Sequence, residues 1–181
     1  TRKESSAASD VYKRQIESND PVLYFEHKKA YRFLKEEVPE TYYTVPLGKA
    51  DVKRSGEDIT VFCYGLMVNY CLQAADILAS DGIDVEVVDL RTVYPLDKAT
   101  IIERSQRTGK VLLVTEDNLE GSIMSEVSAI IAENCLFDLD APIMRLAAPD
   151  VPSMPFSPTL ENEIMMNPEK IQDKMRELAQ F

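Results

Sequence analysis

No stretch of this sequence reaches the roughly 18 consecutive apolar residues that a membrane-spanning helix needs, although 45% of its 181 residues are hydrophobic. The first fifteen residues, TRKESSAASDVYKRQ, are polar, have no apolar core segment and do not read as a signal peptide. Positive charge is scarce. Twenty Lys and Arg face 31 Asp and Glu, for a net charge of −11, so there is no basic stripe to release phosphate counterions. Nucleic acid and anionic membranes are disfavoured as partners, whereas the charge suits equally a soluble protein or one that docks on a basic partner. The three cysteines, Cys63, Cys71 and Cys135, sit inside apolar stretches without a C-x-x-C pair. They read as reduced, buried thiols of a cytoplasmic protein. A single histidine, His27, leaves no material for a hydrolase triad or a clustered zinc site. Glycine is sparse where a phosphate would need it. The first strand-to-helix turn, Tyr64–Tyr70 (YGLMVNY), has one glycine and is neither a G-x-G-x-x-G nor a P-loop.

What is present is an alternation of strands and helices. Residues 1–15 show no periodicity and are expected to be a leader foreign to the fold. Val22–His27 is a short β-rich run, Lys28–Glu37 a turn or two of helix, and residues 38–48, with two prolines, an extended linker. From Lys49 a polar edge strand (Ala50–Arg54) precedes ITVFCY (Ile59–Tyr64), a continuous apolar run of the kind covered on both faces. A helix to about Ser80 gathers Met67, Cys71, Ala74, Ala75 and Leu78 on one side. Further strands are expected at Val85–Leu90, Val111–Thr115 and Ile143–Leu146. The intervening helices are one capped by Asp97 and closed at Gly109, and another from Ser122 to about Asn134 with Ile123, Val127, Ile130 and Ile131 inward. Pro149–Pro158, with four prolines, is an irregular loop. Asn167–Pro168 opens a last helix with Ile171, Met175 and Leu178 as its apolar stripe. The order predicts an α/β three-layer sandwich around a mostly parallel sheet whose polar first strand is antiparallel.

Few side chains suggest chemistry. His27 is either an acid/base group or loop anchor near a cofactor, or a solvated strand-end residue. Glu116–Asp117 lies at the carboxy end of a buried strand, where α/β sheets place their sites, or else in a solvated turn. Asp89 and Arg91 flank the end of another strand and suit a loop tie or a subunit contact. Residue chemistry alone therefore assigns no catalytic, cofactor-binding or metal-binding residue.

Several segments together do resemble a known family: DPVLYFEHKKAYR, VPLGKADVKRSGEDITVFCYG, VEVVDLRTVYPLD, TGKVLLVTEDNLEGSIMSEV and LFDLDAPIMRLAAPD. They are similar, in order and spacing, to β subunits of thiamine-diphosphate-dependent 2-oxoacid dehydrogenases. FEHKKAYR and GSIMSEV point to the branched-chain type. The resemblance implies the end of a pyrimidine-binding domain over residues 16–37 and a transketolase carboxy-terminal-like domain over 49–181. It implies a heterotetrameric oxidoreductase within a multienzyme complex of branched-chain amino acid degradation. That enzyme decarboxylates 2-oxoacids oxidatively and passes the acyl group to lipoyl groups. Its thiamine diphosphate and magnesium would be held elsewhere, so this chain alone is expected to bind neither. The partners implied are the dehydrogenase α subunit, a second β subunit, and the peripheral-binding domain of the lipoyl acyltransferase core. Phe181, Asp140 and Asp150 are the residues it suggests for that last contact. A non-catalytic interaction module of the same fold, or the equivalent piece of a pyruvate dehydrogenase or another thiamine enzyme, is the alternative. Asn69 stands where relatives often carry histidine.

Overall fold

The computed structural model describes residues 16–34 and 41–181. The expected leader, and residues 38–40 of the expected linker, lie outside them. The elements are α1 (Ala30–Phe33), β1 (Asp51–Arg54), β2 (Ile59–Cys63), α2 (Leu66–Ser80), β3 (Val85–Asp89), α3 (Lys98–Thr108), β4 (Val111–Asn118), α4 (Ile123–Cys135), a 3-10 turn (Leu136–Asp138), β5 (Met144–Ala148), α5 (Pro158–Ile164) and α6 (Pro168–Ala179). One five-stranded sheet has the order β1-β3-β2-β4-β5. All neighbours are parallel except β1, which runs antiparallel to β3 at the edge.

The three layers follow from the alternation of side chains along buried strands. In β2, Ile59, Val61 and Cys63 enter one core with the buried faces of α2 and α6. Phe62 enters a second core with α3 and α4. β4 divides the same way, Leu112 and Val114 against Val111 and Leu113. A strand covered on both faces tolerates no polar face, and all five residues of β2 are buried. Its one polar residue, Thr60, donates to Glu86 Oε1 at 3.1 Å.

The ends of the helices are set by local chemistry. Asp97 caps α3 by accepting from Thr100 N–H, and α3 stops at Gly109 in the left-handed conformation (φ 66°). Asn167 accepts from Lys170 N–H at 2.8 Å, with Pro168 in the first turn of α6. Three expectations differ from the structure. Val22–His27 forms no strand, because a ladder needs a partner and no described residue supplies one. In α4, Met124 is buried while Ile123 is half-buried against the same core. A short helix, α5, follows the irregular proline-rich segment.

At the amino edge of the sheet, Glu86 is completely buried. Its Oε2 accepts from Arg107 at 2.9 Å and from Arg104 at 3.4 Å. The two cations are partly solvated, and the Thr108 hydroxyl donates to Thr60 at 3.0 Å. This ties α3 to β2 and β3 from below.

Candidate functional site

The carboxy edge of the sheet is where the strands of an α/β fold deliver side chains to a common surface. Here β2 is followed by Tyr64–Gly65, β3 ends at Asp89 and is followed by Leu90–Arg91, and β4 ends in Thr115–Asn118. The half-buried Tyr64 hydroxyl and the Thr115 hydroxyl lie 2.9 Å apart, joining β2 to β4. Burial raises the Tyr64 phenol above its usual range. The Thr115 bond pulls it down, and Asp117 and Glu116 push it up again.

His27 and Glu116, 89 residues apart, meet here, with His27 Nε2 at 3.1 Å from Glu116 Oε2. His27 Nδ1 accepts from Lys29 N–H at 3.2 Å. A neutral imidazole with Nδ1 as acceptor carries its proton on Nε2, so Nε2 donates to the carboxylate. With both ring nitrogens engaged, the geometry favours a loop anchor over an acid/base group. Beside it, Lys29 Nζ donates to Tyr70 Oη at 2.7 Å and stands 5.5 Å from that ring's centroid. Asn69 precedes Tyr70 in α2 and is half-buried.

Asp89 and Arg91 form a loop tie. Asp89 Oδ1 accepts from Arg91 N–H at 2.9 Å, and the Arg91 guanidinium reaches Asp51 on β1 at 2.6 Å. Arg91 holds the left-handed conformation with φ 53°, a strained state for a residue with a Cβ. Burial raises the Asp89 carboxyl above the ordinary range, against the lowering effects of the Arg91 N–H, Lys53 and the Arg91 charge; Asp51 adds to the rise. Among the described residues no three His, Cys, Asp or Glu side chains are grouped to hold a metal. No described helix is long and apolar enough to cross a membrane.

The residues suggested for partner contact are dispersed. Phe181 follows α6 and is 62% exposed; its N–H donates to Leu178 O at 3.3 Å. The last turn of α6 is tied to the end of α2 by Arg176 and Asp81 at 2.8 Å. Asp140 is exposed just before β5, its N–H donating to Gly109 O at 2.8 Å. Asp150 lies beyond the other end of β5, on an open cleft of about 450 Å³ that Lys174 also lines. About 16 Å of strand therefore separates the two aspartates. Sequence reasoning singled out His27 and Glu116 separately and missed their pairing, as it missed Lys29–Tyr70 and Tyr64–Thr115. Contacts so distant in sequence leave no local signal.

Comparison with known proteins gives this geometry a context. The model of the family "Transketolase, C-terminal domain" matches residues 48–171, and the chain belongs to that family. More particularly, it is a homologue of 2-oxoacid dehydrogenase β subunits. It is 63% identical over 174 residues to the 2-oxoisovalerate dehydrogenase subunit beta of Bacillus subtilis, covering 96% of this chain and 53% of that protein. Identity is 46% over 156 residues to the beta subunit of the same organism's acetoin:2,6-dichlorophenolindophenol oxidoreductase (86% and 45% covered). It is 45% over 166 residues to its pyruvate dehydrogenase E1 component subunit beta (92% and 50% covered). The chain thus spans about half the length of these relatives. Among solved structures, a split-gene transketolase described as an inactive beta4 tetramer superposes with a TM-score of 0.68 at 23% identity. It covers 79% of this chain and 47% of that one, a likeness of fold alone.

Proposed function

We propose that this chain is part of the β subunit of a branched-chain 2-oxoacid dehydrogenase and serves subunit assembly and docking to the lipoyl acyltransferase core. The observation that carries the reading is the 63% identity to a 2-oxoisovalerate dehydrogenase β subunit, well above the 45–46% to the pyruvate and acetoin counterparts. The described residues support a framing role, since the carboxy edge is occupied by side chains tied to one another. Thiamine diphosphate and magnesium belong to the whole complex, which carries out the oxidative decarboxylation and acyl transfer. In that complex this part would meet the α subunit, a second β subunit and the acyltransferase's peripheral-binding domain, in the cytoplasm. Phe181 and Asp140 are the contacts proposed for that domain, with Asp150 a more distant contributor.

The test is a chimera. Residues 19–181 replace the matching part of the Bacillus subtilis 2-oxoisovalerate dehydrogenase β subunit, which is then co-expressed with its α subunit. Assembly, turnover of 2-oxoisovalerate and acyltransferase binding close to the parent's are expected. A folded chimera that fails to join the α subunit would sink the reading. Assembly with pyruvate dehydrogenase α in preference would favour the pyruvate alternative.

A further inference from the structure

His27 is the chain's single histidine, and it begins a turn that touches two elements at once. Its ring meets Glu116 on β4, while Lys29, two residues on, meets Tyr70 on α2. The turn is closed internally by Ala30 N–H donating to His27 O at 3.0 Å and by Lys29 N–H donating to the ring. Of these residues only Tyr70 packs against a buried core, the one shared by α2 and α6. Two hydrogen bonds at opposite sides of the imidazole fix both its plane and its tautomer. The ring's polar contacts are Glu116 Oε2 from β4 and the Lys29 amide. Asp117 follows Glu116 on β4, Glu26 and Lys28 flank His27 in the chain, Lys29 Nζ donates to Tyr70 on α2, and Glu26 accepts the Tyr31 hydroxyl.

We propose that His27 and Glu116 form a tautomer-fixed clasp that positions the turn at residues 27–30, and with it the polypeptide leading into the domain, on the carboxy edge of the sheet. His27 is thus a positioning residue. It works by holding its Nε2 proton in place on Glu116, and its second nitrogen is already spent on the Lys29 amide. In a protein twice this length, such a clasp would set how the preceding polypeptide sits on the domain. That last step rests on the proposed function; the clasp itself does not.

The test uses the full chain with isotope-labelled histidine nitrogens, at mildly alkaline pH. We expect a slowly exchanging proton on Nε2 and none on Nδ1. Both His27→Ala and Glu116→Ala should cut the exchange protection of the Lys29 and Ala30 amides on the order of ten-fold, with unchanged β2 amides showing the fold intact. The double variant should be no worse than either single one. Glu116→Gln, whose amide oxygen still accepts, should restore the Nε2 signal. A proton on Nδ1, or a Glu116→Ala chain whose ring signal and Lys29 amide match the parent's, would overturn the clasp. Failure of the chimera with these signals intact would overturn the assembly reading alone.

Discussion

Asp89 and Asp97 show how two carboxylates of one domain acquire opposite pH signatures. Burial pushes the Asp97 carboxyl upward, but bonds from the Thr100 hydroxyl, Ala50 N–H and Thr100 N–H, with Lys49 nearby, outweigh it and hold it below the ordinary range. A lowered folded pKa means stabilisation present above the unfolded value near ~4 and lost as the pH falls through the folded one. For Asp89 the folded pKa is raised, so the ionised form costs stability, and that cost disappears on acidification. Asp97→Asn keeps a capping oxygen and removes the titration. Its stability deficit in urea melts should therefore be largest at neutral pH and shrink below about pH 4. A deficit that stays constant across that range would show that the charge contributes nothing. Glu86 is the harsher case. Glu86→Ala leaves Arg104 and Arg107 facing a vacated, fully buried position. Because both cations are partly solvated, a loss of about 3 kcal/mol, the low end for broken buried pairs, is expected by denaturant unfolding. Glu86→Gln should fall between parent and alanine.

At the scale of elements, the helix stop at Gly109 illustrates close fit. Its φ of 66° suits glycine, and a Cβ there would lie 2.5 Å from Asp140 Oδ2. Gly109→Ala should cost about 1–3 kcal/mol, while Asp140→Gly in the same chain relieves the contact and recovers part of the loss, as thermal melts can show. Most of the core was legible beforehand for a physical reason: burial on two faces forces strands such as ITVFC to be continuously apolar, and caps such as Asp97 and Asn167 carry their function in their own side chains. Val22–His27 misled because a β-rich composition reports a preference for extended backbone, which becomes a strand only beside a partner. The short α5 lacked the length for a readable apolar stripe, and none of its residues is buried. The His27–Glu116 pairing was illegible because it depends on where the whole sheet places the end of β4.

For the whole molecule, the proposed docking predicts a separation between binding and stability. Phe181 is mostly exposed, whereas Ile171, Met175 and Leu178 of the preceding helix are fully buried. Deleting Phe181 from the assembled dehydrogenase should weaken capture of the acyltransferase's peripheral-binding domain, leave the unfolding midpoint nearly unchanged, and reduce the fall of affinity with added salt. Equal affinities for parent and truncated complexes at two ionic strengths would remove the carboxy terminus from the interface.

The strand order also has a consequence in time. β2 lies between β3 and β4, and no hairpin joins it to either. Its partner Glu86 on β3 is 26 residues from Thr60, whereas the Tyr64–Thr115 contact that joins it to β4 spans 51. One doubling of loop length costs about 0.6 kcal/mol of closure entropy, roughly a three-fold bias toward the nearer encounter. Refolding should therefore zip β2 to β3 before β2 joins β4, and pulse-labelled exchange should protect the amides bonded between β2 and β3 before those bonded between β2 and β4.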